Sequence, residues 1–118
     1  MMACDMRVGT RGDFKMSLPE TRISMDLPPL LLELARSRIS RRHFNRVALL
    51  SEVYSPEQAI DAGFVDEVVD ADDLAAHTET IAAELAQLPQ QQFAANKLAI
   101  RADSLQIMKD YLANTGEG

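Results

Sequence analysis

Apolar and polar residues alternate in two short stretches near the start of the chain, at residues 4–8 and 14–18. Alternation with a period of two is typical of strands with one buried face, and Gly9 and Gly12 between the stretches favour a turn. We therefore expect two short strands here. Cys4 falls in the first strand, where a thiol packs as a small hydrophobic group.

The pattern changes to helical spacing after two consecutive prolines, Pro28 and Pro29. Proline suits the first turn of a helix, where the N–H that it lacks has no partner to lose. Apolar residues then recur on one side of a helix that runs to about Ile39, at Leu30, Leu31, Leu34 and Ala35. Ser40 is a capping residue, so a second helix is predicted after it, with an inward side of Phe44, Val47 and Ala48.

The next helix is predicted with sharp boundaries. Ser55, Pro56 and Gln58 supply a hydroxyl cap, a proline at the first helical position and a side chain that bonds back to the cap. Gly63 ends this helix because glycine adopts the left-handed backbone of a helix terminus. The β-branched residues in 64–69 then predict a strand.

Two further helices are predicted after this strand. Asp70 or Asp72 caps the first of them, whose aligned side consists of Leu74, Thr78, Ile81, Leu85 and Leu88. Pro89 separates it from the last helix, which begins at Gln90 and aligns Ala94, Leu98, Leu105, Met108 and Leu112. The predicted fold class is α/β, with a few short strands followed by mainly helices. So few strands do not make a stable sheet alone, so the chain is expected to form part of a larger one.

Composition and charge exclude several classes of protein. Hydrophobic residues make up 47% and charged residues 25% of the 118 residues, which is typical of globular proteins. The formal net charge of -6 repels nucleic-acid phosphates, so nucleic-acid binding is not expected. The longest apolar run, residues 27–32, is far shorter than the ~20 residues that span a bilayer.

Cysteine and histidine give no sign of a metal site. Cys4 is the single cysteine and cannot form an internal disulfide, which fits a reducing cytoplasm. No cluster of cysteine and histidine has the spacing of metal ligands, and His43 and His77 have no acid or nucleophile at a telling distance along the chain. We assign these histidines no role.

Two motifs resemble a known family. Residues 3–8 (ACDMRV) and 14–20 (FKMSLPE) resemble the A-C-D strand and the F-x-x-P-E segment of the crotonase superfamily, which contains enoyl-CoA hydratases and isomerases. The more specific match is 55–69 (SPEQAIDAGFVDEVV), which is similar to the family pattern S-x-x-E-A-x-x-x-G-L-V-x-x-V-V. The tail, residues 88–99, also resembles the family's closing helices. The resemblance implies the C-terminal part of a crotonase-type fold.

This resemblance implies chemistry on acyl-CoA thioesters, with coenzyme A as part of the substrate and no other cofactor. Family members hold the thioester oxygen with two backbone N–H groups that stabilise an enolate, and such donors supply a large part of catalysis. In the family these donors and the first catalytic glutamate precede the A-C-D segment. The second acid position matches Glu20. The 118 residues alone are therefore expected to be inactive, as a truncated form.

Glu20 has a plainer interpretation without the family. A carboxylate after Pro19 in a turn is most often solvated and without chemistry, because catalysis needs a substrate within reach. For a full-length protein, the resemblance makes catalysis the favoured interpretation of Glu20.

Five arginines concentrate positive charge: Arg36, Arg38, Arg41, Arg42 and Arg46. They either hold coenzyme A phosphates or form a solvated helix surface, and the solvated surface is favoured.

The residues after the acid favour isomerisation over hydration. Family hydratases follow the proline here with a glycine whose N–H places the attacking water, whereas Pro28 is followed by Pro29, which has no N–H. By position in the family, Leu27, Pro28 and Lys97 are candidate substrate contacts, although leucines at helical spacing are more often core. No metal ligand is predicted.

The resemblance also implies an organisation in two parts. Residues 1–27 are interpreted as a remnant of the family's sheet core with the acid-bearing turn. Residues 28–118 are interpreted as a helical region with one strand and oligomerisation-type helices. A homo-oligomer of the trimer type or a complementing N-terminal segment is expected. The alternative function is a non-catalytic oligomerising or interaction fragment.

Overall fold

The structure, a computed structural model, describes residues 1–115. Its strands and helices are β1 (Val8–Thr10), α1 (Pro29–Arg38), α2 (Phe44–Ala48), α3 (Pro56–Ala62), β2 (Glu67–Val69), α4 (Leu74–Ala86) and α5 (Gln90–Asn114), with a 3-10 turn at Ala71–Asp73. The chain forms two compact units, Met1–Leu74 and a second unit from Ala75 onward. The division predicted at residues 27 and 28 refers to the family fold and stays a prediction.

The sheet is small and parallel. Val8 lies opposite Glu67 and Thr10 opposite Val69, so that β1 and β2 form one two-stranded ladder. The strands predicted at 4–8, 14–18 and 64–69 are therefore wrong in extent: within residues 14–18 the described pairing is a single antiparallel bridge from Met16 to Tyr54.

The reason lies in where the neighbouring backbone runs. Alternation predicts which side chains turn inward, but a strand also needs a second backbone beside it. Phe64 and Val65 are 2% and 1% exposed and pack in the core, while the N–H of Phe64 bonds to the Ala59 carbonyl at 3.0 Å. Cys4 lies in a turn, with its N–H bonded to the Met1 carbonyl at 3.0 Å, and its side chain is exposed. The prediction that this thiol packs in a strand is wrong.

The described core lies in the first unit. It consists of Leu18, Ala35, Ile39, Val47, Tyr54, Ala59, Ala62, Phe64 and Val65. On α1 the buried positions are Ala35 and Glu33, whereas the predicted leucines are half-buried. Glu33 is 8% exposed and lies 3.8 Å from the Arg36 guanidinium, which offsets part of the cost of burying a carboxylate.

Of the helix caps predicted at Ser40, Ser55 and Asp70, the one at Ser55 is confirmed and the other two are wrong. The Ser55 hydroxyl accepts from the Gln58 N–H at 3.3 Å and the Gln58 side chain accepts from the Ser55 N–H at 3.0 Å, so the capping box of α3 is confirmed. Ser40 does not cap α2; its Oγ lies 2.7 Å from Nδ1 of His43, which precedes that helix. Asp70 makes no capping bond, because its carboxylate binds Arg11.

The two long helices confirm the predicted spacing in part. On α4, Leu74, Ile81 and Leu85 are half-buried at helical spacing, while Thr78 is exposed and donates its hydroxyl hydrogen to the Ala75 carbonyl at 3.0 Å. Leu88 lies beyond the end of α4 and is 45% exposed.

Half-buried residues on α5 include Leu105, Met108 and Leu112, as predicted. Ala94 and Leu98 on the same helix are exposed, which corrects the prediction for its first half.

Arg7 joins the two strands from the buried side. Its side chain is 5% exposed, and its guanidinium binds both oxygens of Asp66, each at 3.2 Å, while its backbone N–H donates to the same carboxylate at 2.8 Å. A further guanidinium hydrogen goes to the Gly63 carbonyl at the end of α3. A planar guanidinium meets a carboxylate in this two-point manner, which fixes orientation as well as distance.

The turn at the end of α3 yields a first prediction. Gly63 has φ of 99°, and a Cβ there would lie 2.8 Å from the Arg38 carbonyl oxygen and 2.9 Å from the Ser40 nitrogen. Gly63→Ala is expected to lower the free energy of unfolding by about 2–4 kcal/mol, because left-handed backbone and overpacking both add cost. Urea unfolding followed by circular dichroism measures it.

Gly9→Ala is the matched control for this glycine. Its added Cβ would meet Val65 Cγ1 at 3.4 Å, an ordinary contact, so a small change is expected. Equal losses for the two variants would contradict the assigned role of Gly63.

The ion pair yields a second prediction, about pH. Partial burial raises the pKa of Asp66, but hydrogen bonds and charge from Arg7 outweigh it and leave the pKa below its usual value. Stabilisation from this carboxylate is thus present above the unfolded pKa of ~3.9 and is lost as pH falls through the lower folded pKa. Asp66→Asn is expected to cost about 2 kcal/mol at pH 7, less than a fully buried pair, since 34% of this side chain is exposed.

Urea unfolding at pH 7 and pH 3 tests this prediction. The deficit of Asp66→Asn relative to the unmodified protein should shrink at the lower pH. Asp70→Asn is the control, because it breaks an exposed pair with Arg11 and should cost less than ~1 kcal/mol. A deficit of the same size at both pH values would refute the pH link.

Candidate functional site

Glu20 lies in a single helical turn that local backbone bonds hold closed. The N–H of Met25 donates to the Glu20 carbonyl at 2.7 Å, and the N–H of Ser24 donates to the Thr21 carbonyl at 3.3 Å. Ser24 has φ of 61°, so these two bonds and this left-handed residue form the arrangement that commonly ends helices. The backbone that carries the acid is therefore well defined.

The same turn is tied to a loop 29 residues away. The N–H of Arg22 donates to the Ser51 hydroxyl at 3.3 Å, and the Arg22 guanidinium donates to the Ser51 carbonyl. Ser51 is 1% exposed and has φ of 53°. A buried carbonyl and a buried hydroxyl thus find their partners in one arginine, as buried polar groups require.

The Glu20 carboxylate is the unusual group in this region. Its Oε2 is buried and has no hydrogen-bond partner among the residues described, although the side chain as a whole is half-buried. Leaving a buried carboxylate oxygen without a donor costs free energy, so such an atom in a folded protein calls for an explanation. This oxygen is chemically able to accept a hydrogen bond or a proton from a bound molecule.

A groove of about 400 Å³ lies in the first unit, beside the segment that leads into the Glu20 turn. Its lining is mostly apolar and includes Met2, Met16, Leu18, Leu31 and Phe64, with Lys15 as its charged member. Flexible methionine side chains adapt to irregular apolar shapes. The groove is therefore suited to an aliphatic group.

The other predicted contacts lie in different places. Leu27 is half-buried and packs against the core, so the interpretation as a core residue has direct support. Pro28 is exposed and directly precedes α1. Lys97 is exposed on α5, in the second unit. Glu20, Leu27 and Pro28 thus share the first unit. The roles of these three residues and of Lys97 stay predictions.

Several of the clustered arginines are engaged within the chain. Arg36 lies 3.8 Å from Glu33, Arg46 lies 3.9 Å from Glu52, and Arg38 donates to the backbone carbonyl of residue 4 at 2.8 Å. These contacts favour a structural surface over a phosphate site. Within residues 1–115, no group of three or more histidine, cysteine or acidic residues is placed to hold a metal ion, and no helix is long and apolar enough to cross a membrane.

Sequence patterns did not indicate Arg22 or Ser51. Their contact joins positions far apart in the chain, and neither residue stands in a motif. The sequence offers an indirect signal for Arg22, which stands two residues after the candidate acid. Arginine has five N–H donors and can therefore hold neighbouring groups in position. Arg7 and Asp66 were missed for the same reason, since 59 residues separate them.

Comparison with known proteins now bears on this geometry. The family model for enoyl-CoA hydratase/isomerase matches residues 1–114. Among solved structures, an enoyl-CoA hydratase/isomerase family protein from Pseudomonas syringae is 31% identical, with a TM-score of 0.90 over 96% of this chain and 49% of its own. No match was found among curated protein sequences.

Two further solved structures, both of enoyl-CoA isomerases, also match this chain. The enoyl-CoA isomerase of Mycobacterium tuberculosis is 30% identical, with a TM-score of 0.86 over 92% of this chain and 48% of its own. Human mitochondrial delta3-delta2-enoyl-CoA isomerase, at 20% identity and a TM-score of 0.83 over 98% of this chain and 44% of its own, shares the fold. The predicted fold class, the C-terminal portion of a crotonase-type fold, is confirmed.

The family-model match, residues 1–114, includes both the A-C-D segment and the P-E segment that carries Glu20. The chain spans about half the length of the solved structures that it matches. It belongs to the enoyl-CoA hydratase/isomerase family.

Proposed function

We propose that this chain supplies the proton-transferring carboxylate of an enzyme that acts on acyl-CoA thioesters. The observation that carries the proposal concerns Glu20, whose Oε2 is buried without a hydrogen-bond partner among the described residues. By resemblance, Glu20 takes the second acid position of the family. A carboxylate held in this way is free to exchange a proton with carbon beside a thioester.

The proposed reaction is migration of a double bond. One carboxylate that removes a proton and returns it at another carbon is sufficient for isomerisation, whereas hydration also needs a positioned water. Pro28 and Pro29 offer no N–H at the place where family hydratases position that water. The oxyanion donors that stabilise the enolate belong, by resemblance, to the family's upstream half.

The proposed substrate is an enoyl thioester of coenzyme A. The apolar groove beside residues 15–18, the segment that precedes the Glu20 turn, offers an aliphatic surface, and Leu27 and Pro28 follow that turn in the same unit. Lys97 is a weaker proposed contact for the coenzyme A end. We place the protein in the cytoplasm, since its single cysteine forms no internal disulfide.

Substitution of the acid tests the proposal. A chimera would join the N-terminal half of the Mycobacterium tuberculosis isomerase to these 118 residues, supplying the upstream donors. It is expected to move the double bond of a 3-enoyl-CoA, and Glu20→Gln should lower kcat about 10²–10⁴-fold because the amide cannot take up the proton. Ultraviolet absorbance of the conjugated product measures the rate.

Glu57→Gln is the matched control, because Glu57 is an exposed acid in the first turn of α3, and its rate should stay within twofold. The unmodified 118 residues, assayed alone, should be inactive. Equal rates for Glu20→Gln and the parent chimera would remove Glu20 from the mechanism.

A second candidate function is self-association through α5. Ile100 and Ile107 are 79% and 51% exposed and lie seven residues apart, hence on one side of the helix. This side differs from the half-buried one that contains Leu105, Met108 and Leu112. Apolar residues on two sides of one helix favour a partner on the second side. We propose further copies of this chain, as a trimer, for that partner.

Sedimentation of a double variant tests this association. The unmodified chain is expected to sediment as an oligomer and Ile100→Ser/Ile107→Ser as a monomer, because the substitution removes two apolar contacts of about 1.5–3 kcal/mol each per copy. Gln91→Ser/Asp103→Ser, at exposed polar positions of α5, should leave the oligomer intact. A monomeric parent at all concentrations would rule out the trimer.

A further inference from the structure

The orientation of Glu20 has to come from the backbone that carries it. Its Oε2 accepts no hydrogen bond from the described residues, so this oxygen has no direct restraint. The turn around it is short, running from Pro19 to Met25, and one helical turn is not stable alone in water. Contacts with other parts of the fold must therefore hold it in place.

Arg22 provides those contacts at two points. Its N–H and its guanidinium both donate to Ser51, the first to the hydroxyl and the second to the carbonyl. Two bonds from one residue to another restrain rotation as well as distance. Because Arg22 is two residues from Glu20, rotation of the turn about this link would move the carboxylate.

Ser51 is itself fixed by backbone bonds of the residues on both sides of it. Before it, the N–H of Leu50 donates to the Asn45 carbonyl at 3.2 Å. After it, two further contacts hold the chain. The N–H of Glu52 donates to the Arg46 carbonyl at 3.0 Å, and Tyr54 exchanges two backbone bonds of 2.9 Å with Met16. Ser51 is fully buried in left-handed backbone, a conformation that a non-glycine residue keeps only where its surroundings impose it. The loop is thus a rigid support for the turn.

We propose that Arg22 is a positioning residue for Glu20 and acts through Ser51. The proposal rests on the proposed role of Glu20 in proton transfer. In the proposed role Arg22 acts through the backbone of the turn and makes no contact with substrate. It sets where the carboxylate lies, and a displacement of about 1 Å is enough to slow a positioned reaction by up to 10²-fold.

The test compares two arginines in neighbouring segments. Arg22→Ala removes the guanidinium donor, whereas Arg46→Ala breaks the exposed ion pair with Glu52, at 3.9 Å, and leaves the link to Ser51. In the purified chain labelled with ¹³C-glutamate, Arg22→Ala is expected to shift the Glu20 side-chain resonances and Arg46→Ala to leave them unchanged. Thermal unfolding records whether each variant is folded.

Kinetics in the chimera provide a second readout. Arg22→Ala should lower kcat about 10- to 100-fold with KM unchanged, because proper placement matters in the transition state. Arg22→Lys, which keeps a donor for the carbonyl, should recover part of this loss. Arg46→Ala should stay within twofold of the parent.

Ser51→Gly is the second variant in case Arg22→Ala fails to fold. Glycine fits the left-handed backbone and lacks the hydroxyl acceptor, so the Glu20 resonances should shift here too. Unchanged Glu20 resonances in a folded variant of either kind overturn the proposal. Absence of proton transfer in the parent chimera overturns the proposed function instead, and the resonances then still decide whether Arg22 positions Glu20.

Discussion

The ion pair between the buried Arg7 and the half-buried Asp66 is the constraint on which the first unit depends. Arg7 directly precedes β1, and Asp66 directly precedes β2, so the pair sets the parallel register of two strands that are three residues each. Its additional bond to the Gly63 carbonyl fixes the end of α3 against the same strands. Removing one partner would leave the other charge buried or half-buried without compensation, which costs free energy. The intact pair itself adds little net stability, so its main effect is to fix the geometry of the two strands.

Between this ion pair and Glu20, two further contacts fix the course of the chain. Met16 bridges to Tyr54, Leu18 is buried in the core, and the next turn carries the acid. Apolar burial thus holds the segment before the turn, and the bonds from Arg22 tie the turn itself to Ser51. Packing sets the position of the backbone, and directional hydrogen bonds set its rotation.

The local sequence predicted those elements whose determinants lie close together in the chain. The cap of α3 depends on Ser55 and Gln58, three residues apart, and both capping bonds form as expected. Pro89 separates two helices because its ring and missing N–H act within one turn. The family was likewise contained in short motifs, since residue identity at fixed spacing needs no tertiary information.

The tertiary structure alone decided what depends on distant partners. Residues 4–8, 14–18 and 64–69 alternate or branch like strands, but a strand forms where another backbone runs alongside: within residues 1–115, at Val8–Thr10 and Glu67–Val69, with a single bridge from Met16 to Tyr54. Cys4 is exposed because the chain turns before β1. The contact between Arg22 and Ser51 is invisible in the sequence for the same reason: a hydrogen bond is specified by geometry in space, and 29 residues of folded chain bring its two ends together.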